Sequence, residues 1–300
     1  QGAAAGEVPG IEIFEAAGID GLVIHAEGED PIGNTLLHSA VTSALSTAAV
    51  LGNDADAVTD IQAIVDSFEA ILLHSAMPGA DGVIEPTADH YAAIGATQSA
   101  ALSPDGIALL NDVIGRKAPS TIGDTPMIES LSATVDGLMA LADQTLAADA
   151  PLPDLEALHE LGLRTLAMED LELFYQLVAD SPDQEAIDSV DKLRDLAEEA
   201  ARVNALGRLR DYAAGDSEVL PTATDYQLNS VEFDEPFWID AFNDALAVQS
   251  VTLDTDDTQA ALDLDAITTG YAAILSDDIE PEAEDFAAIG AAEAHALMDD

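Results

Sequence analysis

Aspartates that alternate with other oxygen-bearing residues are the first places in this sequence where chemistry is worth seeking. Asp254-Thr255-Asp256-Asp257, followed by Asp263 and Asp265, sets oxygens at the close spacing that a calcium ion takes up, and so does Asn53-Asp54-Ala55-Asp56. Both stretches lack the turn glycine and the terminal bidentate glutamate of a helix-loop-helix calcium site. Both also run directly into a helical pattern, where aspartate serves as an N-cap and suits the positive end of the helix dipole. Two readings therefore stand side by side: capping, and a calcium site at Asp254, Asp256 and Asp257.

Other chemistry is harder to find. The histidines, His25, His38, His74, His90, His159 and His295, never pair at i+3 or i+4, so no helical metal pair and no His-Glu-x-x-His arrangement exists. Each is expected to play a structural or surface part. Gly-x-Ser-x-Gly and Gly-x-Gly-x-x-Gly are absent, and Gly115-Arg116-Lys117-Ala118-Pro119-Ser120 lacks the glycine-rich lead of a phosphate loop. With 59 acidic residues, no single carboxylate pair stands out as an acid/base dyad. The absence of cysteine removes disulfides, thiolate ligands and thiol nucleophiles. These residues predict a protein that is not an enzyme, without a cofactor other than calcium.

Lys and Arg number 8, and the formal net charge is −51. Residues 1–115 and 211–300 carry no Lys or Arg; Arg116 and Lys117 stand alone, and Arg164, Lys192, Arg194, Arg202, Arg208 and Arg210 fall within 164–210. Nucleic acid is excluded as a partner, because phosphate binding needs clustered cations, and an anionic membrane surface repels the chain for the same reason. No run of 18 apolar residues is present to span a bilayer. Most carboxylates must be solvated or screened by salt or divalent cations, which points to a salty or calcium-containing exterior or to a high-salt cytoplasm. The sequence begins at Gln1 without a leader pattern and is expected to be a mature product or a fragment.

The elements that would position these residues recur. Pro9, Pro86, Pro153, Pro221 and Pro281 each open a ten-residue segment, at spacings of 77, 67, 68 and 60. Five residues after the proline stands Phe14, Tyr91, Leu158, Tyr226 or Phe286; nine after it stands Gly18, Gly95, Gly162, Ser230 or Gly290. Proline is tolerated in a first helical turn, and glycine accepts the left-handed conformation that ends a helix. Ser230 suits that ending less well, so the fourth segment is expected to end differently. Two further helical stretches follow each segment. The second covers 34–51, 103–114, 167–179 and 235–248, and the third begins near Ala55, Thr125, Gln184 and Asp256.

The expected fold is therefore all-α, with tandem three-helix bundles at 1–80, 81–148, 149–216 and 217–278 as beads or a stacked array. The first helix of a fifth module lies at 279–300. A lone first helix cannot cover its own apolar face. Phe286 and Ile289 must pack back on the fourth module, on another chain, or on a continuation. Aromatics that recur once per module behave as core anchors. Glu235-Pro236-Phe237-Trp238-Ile239-Asp240-Ala241-Phe242 is different, because three aromatics crowd one short helix; Phe237, Trp238 and Phe242 are read either as core or as a socket for a neighbouring subunit.

The segments Thr87-Ala88-Asp89-His90-Tyr91-Ala92-Ala93-Ile94-Gly95 and Ala55-Asp56-Ala57-Val58-Thr59-Asp60-Ile61-Gln62-Ala63-Ile64-Val65-Asp66 resemble the acidic, Ala-rich helical repeats of very large secreted bacterial surface proteins. The resemblance implies an extracellular stalk, filament or adhesin body that self-associates head to tail. It transfers no catalytic residues. Gln227-Leu228-Asn229-Ser230 departs from the usual Ala-Ala-Ile-Gly. An adhesin role would bring a carbohydrate or protein ligand to an exposed aromatic patch, for which 235–242 is the candidate. The alternative is a halophilic binding protein or enzyme whose acidity is solvent adaptation.

Overall fold

The computed structural model describes residues 10–22, 34–46, 57–146, 150–232, 237–248, 253–254, 256–275 and 281–291. Among these residues every regular element is helical, and the chain is all-α. It divides into two compact units, Gln1–Ala197 and Glu198–Asp300.

The first unit holds α1 (Ile11–Ala16), α2 (Asn34–Ser46), α3 (Val58–Ala76), α4 (Ala88–Ala93), α5 (Thr97–Ala100), α6 (Pro104–Gly115), α7 (Thr125–Ala142), α8 (Leu155–Leu161) and α9 (Leu171–Ala179). A 3-10 turn, Gln184–Ile187, leads into α10 (Val190–Ala214), a long helix inside which the division of the chain falls. The apolar spacing of α3 puts Ile64, Val65, Phe68, Ile71 and Leu72 on one buried face. Short α5, not foreseen in the sequence, is held by Glu129 of α7, whose Oε1 accepts the Gln98 amide at 3.1 Å. Gln184 ties two helices: its Nε2 donates to Asp143 Oδ2 at 2.7 Å and its Oε1 accepts from the Ser103 hydroxyl.

The second unit holds α10 from Glu198 onward, with α11 (Ala223–Leu228), α12 (Phe237–Leu246), α13 (Asp257–Leu275) and α14 (Ala283–Ala288). Its core joins Leu206 and Leu209 of α10 to Tyr226, Val231, Phe242, Leu246, Leu264 and Ile267.

The five proline-led segments share one local structure. Each is a helix of six or seven residues that ends in a left-handed residue: Gly18 at φ +82°, Gly95 at +78°, Gly162 at +108°, Ser230 at +66° and Gly290 at +76°. In each, the amide of the following residue reaches back to the carbonyl of the large apolar residue. Ile19 bonds to Phe14, Ala96 to Tyr91, Leu163 to Leu158, Val231 to Tyr226 and Ala291 to Phe286, at 2.7 to 3.1 Å. This is the Schellman ending, and it brings two apolar side chains together across the stop. The expectation of a different ending at Ser230 is thus corrected. The Ser230 amide bonds to the Gln227 carbonyl as the glycine amides do in the other segments, the Val231 amide to Tyr226, and these bonds outweigh the steric penalty of a Cβ at positive φ. Substituting Ser230→Gly removes that penalty and is expected to stabilise the second unit by about 0.5–1 kcal/mol in urea denaturation.

These short helices lean on the long helix that precedes them: α4 on α3, α8 on α7, and α14 on α13. The approach of α14 is closest at Gly270, where an added Cβ would lie 2.6 Å from the Asp285 carbonyl oxygen. Phe286 is buried, and Ile289 packs on the core of the second unit. Of the three places open to those side chains, their own chain is the one they occupy.

Candidate functional site

Two buried asparagines lie where a proline meets a later helix of its stretch. Tyr91, fully buried, donates its hydroxyl to Asn111 Oδ1 at 2.5 Å, and Asn111 Nδ2 donates to the Pro86 carbonyl at 2.8 Å. Tyr226 repeats this with Asn243 at 2.7 Å, and Asn243 with the Pro221 carbonyl at 3.2 Å. In the third segment Leu158 offers no hydroxyl, and Tyr175 of α9 donates directly to the Pro153 carbonyl. In the first, Phe14 meets His38 edge to face, with ring centroids 5.8 Å apart. Burial pushes both Tyr91 and Tyr226 phenols far above their ordinary range, aided by the nearby Glu85 and Tyr212 respectively, so each remains a donor. The asparagines were missed in the sequence. The legible signal was the Asn-Asp dipeptide inside an apolar helix, at Asn111-Asp112 and Asn243-Asp244.

The aspartates of the calcium candidate are engaged otherwise. Asp256 Oδ1 accepts the Gln259 amide at 3.0 Å, which makes it the N-cap of α13. Asp254 Oδ1 accepts the Asp256 amide at 2.8 Å. Asp257 is held by two guanidinium groups, Arg210 at 2.9 Å and Arg202 at 3.2 Å. Burial pushes the Asp257 carboxyl up, but the hydrogen bonds from Arg210 and Arg202 outweigh it and hold the group below the ordinary carboxylate range. Among the described residues no three His, Asp or Glu side chains are grouped to hold a metal ion. The other candidate, Asn53 to Asp56, lies outside the described residues.

Of the interface candidates, Phe242 is 1% exposed at the centre of the second core, between Tyr226 and Tyr271. Trp238 and Ile239 are partly buried against the same core, and Trp238 meets Tyr271 edge to face. The Phe237 side chain lies outside the described set. Four histidines have local tasks: His38 contacts Phe14, His74 Nε2 meets the Asn111 carbonyl, His90 meets Thr87, and His159 Nε2 meets the Leu166 carbonyl. His25 and His295 lie outside the described residues.

The scarce cations join helices. Arg208 of α10 reaches the buried Asp225 of α11 at 2.6 Å, while Arg202 and Arg210 of the same helix hold Asp257 of α13. Asp225 also accepts from the Thr222 amide at 2.7 Å and the Thr222 hydroxyl at 2.8 Å. Burial pushes the Asp225 carboxyl up, and the Thr222 bonds with the Arg208 guanidinium together bring it below the ordinary range. A carboxyl depressed in the folded state adds stability above its unfolded value, and that stability is lost as pH falls through the folded value. The stability of the second unit is therefore expected to decline below about pH 4, near the unperturbed aspartate value. Asp225→Asn should cost about 2 kcal/mol at pH 7 and flatten that decline, as read from Trp238 fluorescence in acid titrations. No such seam was evident in the sequence, where only the clustering of cations within 164–210 stood out and acidic residues in the same helix match them in number.

Comparison with protein families, with characterised proteins and with solved structures returns no match. Among the described residues no helix is long and apolar enough to cross a membrane.

Proposed function

We propose that this chain is a non-enzymatic structural element of an extracellular or cell-surface stalk or filament, built from tandem three-helix modules. The observation that carries this reading is the fivefold recurrence of one proline-led helix, with the same left-handed stop and the same backbone bond across it. At Pro86, Pro153 and Pro221 the carbonyl is also taken by a side chain of α6, α9 and α12 respectively. Asn111, Tyr175 and Asn243 each tie a proline-led segment to a later helix, a structural use of polar side chains that supports this reading. A sequence that repeats its internal joints is suited to setting length and spacing, because each unit stabilises mainly its neighbours.

In this reading the modules interlock. The first helix of one leans on the third helix of the one before, and α14 closes the last complete module. Phe286 and Ile289 are already covered by their own chain, so head-to-tail assembly rests on other surfaces. The acidic surface keeps such a chain hydrated and apart from nucleic acid and anionic lipid. Negative-stain imaging with sedimentation tests the proposal, at low and molar salt and with and without calcium. Filaments or elongated particles support it. A compact monomer under every condition overturns it, and reversible unfolding in low salt by such a monomer favours the halophilic alternative.

A further inference from the structure

Among the described residues, three helices begin with a carboxylate that reaches back three residues to a backbone amide. Asp60 accepts from the Ala57 amide at 3.0 Å, Asp225 from Thr222 at 2.7 Å, and Asp285 from Glu282 at 2.7 Å. This is half of a capping box, and a carboxylate keeps its acceptor role down to acid pH. The second proline-led segment differs. Its residue at that place is His90, whose Nδ1 lies 3.0 Å from the Thr87 amide nitrogen and 3.0 Å from the Thr87 hydroxyl. An imidazole nitrogen accepts a hydrogen bond only while it carries no proton. Once protonated, Nδ1 is a donor facing an amide donor, and its charge sits at the positive end of α4.

We propose that His90 makes the first turn of α4 a proton-sensitive latch, closed by the neutral imidazole and released when the ring takes up a proton. The latch secures a joint of consequence. The next residue, Tyr91, is fully buried and begins the bridge through Asn111 to the Pro86 carbonyl, and α4 packs on α3. The ring shares its surroundings with Glu85 and Asp89 of its own segment. On α3, the helix packed against α4, the titratable groups are Asp60, Asp66, Glu69 and His74; α5 carries none, although Glu129 of α7 reaches it.

Heteronuclear NMR of the full chain between pH 8 and pH 5 tests the latch. The ring is expected as its Nε2–H tautomer at pH 8. The Thr87 amide shift should follow the ring titration. Exchange of the Tyr91 amide should accelerate about five- to tenfold beyond the intrinsic pH effect, the loss expected for one helix cap. His90→Asp restores the carboxylate found at 225 and 285, and is expected to abolish the response while circular dichroism stays unchanged. An Nδ1–H tautomer at pH 8, a Thr87 amide indifferent to the ring, or a His90→Asp protein that keeps the full response overturns the proposal.

Discussion

Phe242→Ala is expected to destabilise the second unit by about 3–5 kcal/mol, the range for deleting a fully buried phenylalanine. Phe242 is 1% exposed, meets Tyr226 edge to face with centroids 5.6 Å apart, and stacks on Tyr271 at 5.5 Å. The cavity would open between α11, α12 and α13, where Leu246, Leu264 and Ile267 are also buried and cannot all close in. Urea denaturation followed by Trp238, the single tryptophan, reads this directly, because Trp238 packs against Tyr271 of the same core. The substitution also decides between the two readings of this aromatic helix. A socket residue would leave stability within about 0.5 kcal/mol of the parent, as surface substitutions do, and would change association instead.

Asn243→Ala is expected to cost about 2–4 kcal/mol, because it removes a buried side chain that bonds both the Tyr226 hydroxyl and the Pro221 carbonyl. The same holds for Asn111→Ala with Tyr91 and Pro86 in the first unit. A double-mutant cycle checks the mechanism. Tyr226→Phe removes the hydroxyl that donates to Asn243, so the pair of substitutions should cost less than the sum of the singles, with a coupling of about 1 kcal/mol. Strict additivity would mean that the two side chains do not act as one bridge. Because phenol and amide are both neutral, the effect should be independent of pH between 5 and 8, unlike the acid response traced to Asp225.

Much of the local structure was legible because it depends on residues close in sequence. The short helices, their apolar anchors and their left-handed stops follow from backbone sterics and from bonds spanning five residues; the prolines themselves lie one residue before the caps Thr87, Asp154, Thr222 and Glu282, not in the first turn that the sequence suggested. The helical class follows from apolar spacing in stretches such as Ile61 to Leu72. Boundaries shifted where capping chemistry was decisive: Ser103 lies outside α6 as its cap, and a 3-10 turn at Met168–Asp170 precedes α9. The aspartates before α13 showed the limit of pattern reading. The same spacing serves a calcium site or a capped helix, and the arginines that occupy Asp257 lie 55 and 47 residues earlier.

By itself, then, the sequence determined the helical class, the recurring proline-to-glycine segment and a surface dominated by carboxylates. Each of these is a property of short stretches or of summed charge. Tertiary structure alone decided which long helix each short one rests on, that Asn111 and Asn243 take the proline carbonyls, and that three arginines of α10 fasten α11 and α13. It also decided that Phe242 and Phe286 are interior. The physical reason is common to all four. Burial and pairing are relations between residues far apart in the chain, and a side chain's type states what it can do without stating which distant group it will meet.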